Sequence, residues 1–305
     1  MLYFIEQILN GVQLGMLLFL LAAGLTLIFG IMDLVNLAHG SLYMIGAYLA
    51  ATFAAWTDSF VLGAILAICG SLVVGMALEA IAIRRLYGRG HLDHVLGTFG
   101  LLLFFNELVR LIWGPGGLTL SLPSEMLSAV QILPGLFYPL YRLVIIGATL
   151  AVAFFLYVLV MRTRLGMLIR AGASNREMVG ALGVNIKLLY TLIFGLGAAL
   201  AGFAGLMQAP ILTVQIGMGE NILISAFVVV TIGGIGSIRG AFVAALLVGL
   251  VDTIGRAFLP DLLHAYLNES AASSLGRSLS SMLIYLLMAL VLSVRPEGLF
   301  PAASK

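Results

Sequence analysis

Nine apolar runs, at about 9–30, 41–56, 60–83, 95–113, 142–161, 188–209, 221–238, 240–258 and 279–294, take up most of the chain. Runs of this length, punctuated by Gly, Pro and charge, leave few folds open. Lipid offers no partner to a backbone N–H or C=O, so only helices and closed barrels cross it, and barrel strands would alternate over about ten residues. The pattern predicts an all-α, polytopic membrane helical bundle of about eight to ten transmembrane or half-spanning helices. It reads as a single domain over 1–305. Hydrophobic residues make up 62% and charged residues 9% of the 305, with a mean hydropathy of +1.16. A water-soluble domain reaches such values only by exposing large apolar patches. Run 41–56 and the pair 221–238 and 240–258 are read as half-helices or steeply broken ones, because several runs fall short of the roughly 20 residues a bilayer needs.

Several classes are excluded by what is missing. The only lysines are Lys187 and Lys305, so no GxxxxGK[ST] phosphate loop exists and the chain is not by itself a P-loop ATPase. A net charge of +2 gives no reason to expect nucleic acid. His39 has no second His, Cys or carboxylate at ligand spacing, which argues against a metal site, and no constellation supports catalysis. A proton relay of His39 with Asp33 is the weaker reading of that pair. Cys69 stands alone in an apolar run and reads as a small buried hydrophobe. The N-terminal MLYFIEQ lacks a basic region, so the first helix is expected to be retained.

Lys and Arg accumulate on the cytoplasmic side of membrane helices. The connector 84–94 carries Arg84, Arg85 and Arg89, the loop 162–187 carries Arg162, Arg164, Arg170, Arg176 and Lys187 against Glu177, and the tail carries Arg295 and Lys305. These three are placed inside. The connector 114–141, with Glu125 and no basic residue, is placed outside. Parity then puts the N-terminus outside and the C-terminus in the cytoplasm.

Two interruptions resemble one another. Asp33-Leu34-Val35-Asn36-Leu37-Ala38-His39-Gly40 breaks the first half, and Gly233-Gly234-Ile235-Gly236-Ser237-Ile238-Arg239-Gly240 breaks the second. Matching breaks at membrane depth mark a transport pathway, whereas breaks near the surface are ordinary turns; both readings stand. Small residues four apart (Gly11 and Gly15; Gly197, Ala201 and Gly205; Gly236 and Gly240) read as close helix packing. Among charges inside the runs, Glu107 and Arg110 share a helical face and can pair. Glu79 reads as snorkelling toward Arg84 and Arg85, and Asp252 as the most isolated, or else close to an interface near Arg256. In the loop 162–187, Met178, Val179 and Leu182 are placed on one side of a short helix with Arg170, Arg176 and Glu177 around it. Such a helix docks on a partner protein or lies on lipid.

The runs VNLAHGSLYMIGAYLA at 35–50, TIGGIGSIRGAFVAALLVGL at 231–250 and VRPEGLF at 294–300 resemble, in order, signatures of the branched-chain amino acid ABC-transporter permease family. In length the chain is similar to the shorter of the two permease subunits that pair in these systems. Glu177-Met178-Val179, three residues, then Gly183 and, after nine more, Ile193 resembles the cytoplasmic EAA segment. Met178 and Val179 depart from its two alanines, and Gly195-Leu196 from its Leu-Pro. The resemblance implies inward transport of leucine, isoleucine or valine across the bacterial inner membrane by alternating access. Urea or another small amide or acid is the alternative cargo, and a secondary transporter or channel the competing class. The implied partners are a second permease subunit as a heterodimer, two ABC ATPase subunits that hold the ATP and Mg, and a periplasmic substrate-binding protein; this chain binds no cofactor of its own. By resemblance, Arg170, Ala173, Arg176, Glu177, Met178, Ala181, Leu182 and Gly183 couple to the ATPase. The breaks assign Asn36, His39, Gly40, Tyr43, Gly233, Gly234 and Gly236 to the translocation pathway.

Overall fold

The computed structural model describes residues 1–264 and 267–300, so the expectation for Lys305 lies outside the described residues. The helices are α1 (Leu2–Met32), α2 (His39–Thr57), α3 (Phe60–Ile81), α4 (His91–Trp113), α5 (Leu140–Arg162), α6 (Arg164–Ser174), α7 (Arg176–Ala181), α8 (Ile186–Gln208), α9 (Met218–Gly233), α10 (Ile238–His264) and α11 (Glu269–Val294). Seven of these, α1, α3, α4, α5, α8, α10 and α11, are long and apolar enough to cross a membrane. The chain is a multi-pass helical bundle, as the apolar runs predict. One element escaped that reading. The connector after α4 forms an antiparallel hairpin, β1 (Ala129–Leu133) and β2 (Leu136–Pro139), turned by Pro134 and Gly135, whose φ of 86° suits glycine. Tyr138 anchors it to α1 by donating to Asn10 Oδ1 over 3.1 Å.

α1 and α8 form the centre, and glycines set how closely the other helices approach. Along α1 a Cβ at Gly11 or Gly15 would lie 2.9 Å or less from backbone atoms of Leu250, Leu246 and Ala245 on α10. A Cβ at Gly24 would lie 2.7 Å from the carbonyl of Gly197 on α8. In lipid no hydrophobic gain drives helices together, so this backbone-to-backbone contact supplies the dispersion energy that a larger residue would forfeit. The expected role of Gly11, Gly15 and Gly197 in packing is met.

α2 and α9 depart from simple crossing. His39, at the start of α2, places Nε2 3.1 Å from the carbonyl of Leu21 in the middle of α1. Leu21 lies eleven residues before the end of α1, so α2 begins about 16 Å inside the bundle from that end. The chain after α1 therefore turns back on itself through 33–38. α9 begins at the same depth, because Gly219 meets Gly40 backbone to backbone, with no room for a Cβ on either. At 16 residues α9 is about 24 Å long, and it descends to the end where α1 stops. α10, at 27 residues, is complete rather than half-length as the sequence suggested. Its Pro260 packs against Gly276 of α11, where a Cβ would lie 2.7 Å from Pro260 Cα.

Glu79, Glu107, Arg110 and Asp252, the charges singled out inside the apolar runs, are each paired. Arg110 donates to Glu107 over 2.9 Å on an exposed face, as expected. Asp252 is not isolated: it accepts from Arg256 at 2.8 Å, one turn away. Glu79 does not snorkel; it is fully buried and salt-bridged to Arg84 at 2.7 Å. Cys69 is exposed on α3 rather than buried, because α3 turns its other face to α8.

Candidate functional site

The loop 162–187 folds as two short helices rather than one. Thr163 caps α6, its hydroxyl accepting from Gly166 N–H at 3.1 Å. Asn175 ends α6 in an extended conformation and caps α7, its side chain accepting from Met178 N–H at 2.9 Å. α7 closes in a glycine-terminated motif: Gly183, at φ 86°, donates to Gly180 O over 3.0 Å and Val184 donates to Val179 O over 3.4 Å. Gly166, Ile169 and Gly172 of α6 and Val179 of α7 face the bundle. Val179 therefore does not share a side with Met178 and Leu182, which are 59% and 77% exposed. Arg176, Glu177, Met178, Ala181, Leu182 and Gly183 form one exposed surface. Arg170 instead donates to the Val160 carbonyl at the end of α5, satisfying a backbone group that helix has left free.

The first break is tied down by α4. Leu37 N–H donates to Thr98 Oγ1 over 3.2 Å, and Thr98, itself fully buried, donates to His94 O over 2.7 Å. Backbone at membrane depth needs such a partner. Sequence reasoning passed over Thr98, since a lone Thr in an apolar helix carries no signal. Asn36, His39, Gly40 and Tyr43 are all buried in packing. Neither amide atom of Asn36, nor His39 Nδ1, nor Ser41 Oγ has a hydrogen-bond partner. Asp33, in a left-handed conformation at φ 54°, is exposed at the end of α1, away from His39.

The second break is capped by the signature at the end of the described chain. Leu299 and Phe300 donate to Ile232 O and Gly233 O over 2.8 and 3.1 Å, satisfying carbonyls at the end of α9. Gly234, at φ 98°, lies where a Cβ would meet Phe300 O at 2.7 Å, and Gly233 packs on Gly240. Of the pathway candidates here, Gly236 alone borders open space.

That space is a cavity of about 1030 Å³ between α1, α5, α6 and α10. Phe19, Leu27, Leu156 and Phe242 make its walls apolar, and Thr26, Tyr157 and Ser237 add neutral polar groups. Charge is confined to Asp33, Arg170 and Arg239. The cavity joins groups that the sequence kept apart: Arg170 and Ala173 from the coupling segment, Gly236 from the second break and Asp33 from the first. A shift of α6 changes its volume directly.

The family model described as the permease component of the branched-chain amino acid transport system matches residues 7–292. Among curated proteins, the chain is 30% identical to the high-affinity branched-chain amino acid transport system permease protein BraD of Pseudomonas aeruginosa, over 97% of this chain and 95% of that one. It is 29% identical to the permease protein LivH of Escherichia coli K12, over 85% and 88% of the two chains. A probable branched-chain amino acid transport permease protein LivH of Methanocaldococcus jannaschii is 25% identical over 78% and 76%. No solved structure matches.

Proposed function

We infer, since the chain belongs to the family of branched-chain amino acid transport permease components, that it is the membrane-spanning subunit of an ABC importer for leucine, isoleucine and valine. Separate ATPase subunits drive it, a second permease subunit completes the pathway, and a substrate-binding protein delivers the amino acid from outside. Ten basic residues (Arg84, Arg85, Arg89, Arg162, Arg164, Arg170, Arg176, Lys187, Arg239 and Arg295) gather at one end of the bundle, against Arg110, Arg142, Arg256 and Arg277 toward the other. That end is the cytoplasmic one, which leaves the N-terminus on the periplasmic side.

The observation that carries the mechanism is the shared cavity. Its lining is mostly apolar with neutral polar groups, which suits an aliphatic side chain on a zwitterion, and one wall is α6, which runs directly into the docking helix α7. The exposed surface of Arg176–Gly183 is the docking face. Closure of the ATPase pair shifts α6 and α7 and exchanges two states of the cavity, a rigid-body change. α2 and α9 direct their N-terminal ends, the positive ends of the helix dipoles, to one mid-depth point beside Asn36, His39 and Ser41. Their unpartnered polar atoms support that point as the place where the substrate carboxylate passes when the helices part. Purification tests the assembly: the tagged chain retains two ATPase subunits through gel filtration, and a chain that never retains them contradicts this reading.

A further inference from the structure

Glu79 belongs neither to the cavity nor to the docking face, yet among the described residues it is the one fully buried acid. It lies in the last turn of α3, where the helix dipole disfavours an anion and burial costs further. Such a group contributes little net stability, so the four hydrogen bonds it accepts from three residues call for another explanation. Oε1 accepts from Arg84 Nε at 3.2 Å and from Tyr87 OH at 2.7 Å. Oε2 accepts from Arg84 Nη2 at 2.7 Å and from the hydroxyl of Thr191 at 2.7 Å. Thr191 in turn accepts from Arg84 at 2.7 Å and lies 2.9 Å from the carbonyl of Lys187. Burial, reinforced by the hydrogen bond to Glu79, pushes the Tyr87 phenol up, so it remains a donor.

The cluster stands directly behind the coupling segment. Thr191 is in the second turn of α8, which begins just past α7. Its neighbour Tyr190 packs edge-on against Tyr87, with ring centroids 5.1 Å apart, and donates to Ile31 O at the end of α1 over 3.4 Å. Gly172 of α6 sits on the same ground, where a Cβ would lie 3.5 Å from Leu189 and 3.8 Å from Ile31. Further along, Gly195 and Gly75 seat α8 against Met76 and α3 against Ala198. The Glu79 centre thus ties α3, the 83–87 elbow and α8 together at the point where α6 and α7 press.

We propose that Glu79 is a positioning residue for energy coupling: it locks α8 to α3 so that movement of α6 and α7 displaces both helices and the end of α1 as one body. The proposal rests on the ABC-importer reading. Its test is the complex with both ATPases and the binding protein in proteoliposomes, with substrate uptake and ATP hydrolysis measured together and thermal stability alongside. Thr191→Val and Tyr87→Phe each remove one donor and leave the Glu79–Arg84 pair in place. The expected result is an assembled complex that still hydrolyses ATP but moves about tenfold less substrate per ATP, the factor that one hydrogen bond to a charged group corresponds to. Thr191→Ser, which keeps the hydroxyl, restores the ratio, and Glu79→Gln lowers it at least as far as Thr191→Val. A ratio equal to wild type in Thr191→Val and Tyr87→Phe, with or without a lower melting temperature, overturns the proposal and leaves the importer reading standing. A wild-type complex without ATP-driven uptake removes both.

Discussion

α7 is six residues long and buries one side chain, Val179, so its two ends hold it. Replacing Asn175 by Ala removes the side-chain bond to Met178 N–H at 2.9 Å, a loss of about 1 kcal/mol for a helix cap. Replacing Gly183 by Ala forces a Cβ into φ 86°, at about 1–2 kcal/mol. The open space around Gly183 rules out a clash as a second cause. The two sites sit at opposite ends of the helix and share no partner, so their effects add to about 2–3 kcal/mol. At 1.4 kcal/mol per tenfold, local opening of α7 rises by about 30- to 140-fold in the double variant. Amide hydrogen exchange at Leu182 and Val184, whose N–H groups bond back to Met178 and Val179, reads that change directly, with amides in the middle of α8 as the unaffected control. Retention of the ATPases falls in parallel if α7 is the docking helix. Unchanged exchange at Leu182 and Val184 in Asn175→Ala/Gly183→Ala would refute the capping argument, and wild-type ATPase retention by a chain whose α7 has opened would refute the docking role.

Three further outcomes follow from the geometry. Single cysteines near Arg89 or Asn175 are labelled only from the cytoplasm and those near Glu125 or Asn268 only from the periplasm; labelling of both groups from one side contradicts the orientation. Gly40→Leu prevents the contact with Gly219 and abolishes uptake, because both neighbours are backbone and cannot give way; normal uptake would mean that α2 and α9 do not meet in the working transporter. Thr98→Val leaves Leu37 N–H without its partner and destabilises the chain by about 1–3 kcal/mol, read as a lower melting temperature, and an unchanged one would place the first break in water rather than in the bundle.

The apolar runs carried the architecture into the sequence because each helix must satisfy its own backbone in lipid, and run and helix coincide closely at 60–83, 142–161 and 188–209. Ends were less legible. α11 begins ten residues before its apolar run: Ala272 and Gly276 are buried there by being small, Gly276 against Pro260 of α10, while Ser270, Ser273, Ser274 and Ser278 lower the hydropathy. The two breaks were visible as glycine and polar clusters, but the meeting of α2 with α9 was not, because Gly40 and Gly219 are far apart in sequence. Likewise Glu79 looked like a surface-seeking acid until Thr191, 112 residues away, supplied its partner. In the coupling loop the charged rim was legible, whereas Asn175 splits the helix by serving two caps at once, and that turns Val179 inward. The hairpin at 129–139 was hidden by brevity: two strands of five and four residues leave too little alternation to detect.

The central claim is that this chain moves branched-chain amino acids only as part of an ATP-driven assembly. Uptake of radiolabelled leucine is the direct measurement, in proteoliposomes holding the chain with its permease partner, ATPases and binding protein, and in liposomes holding the chain alone. The account predicts accumulation that needs ATP and the full assembly, persists when ionophores collapse the ion gradients, and is outcompeted by isoleucine and valine. Leucine accumulation by the chain alone, driven by a proton or sodium gradient, would contradict it.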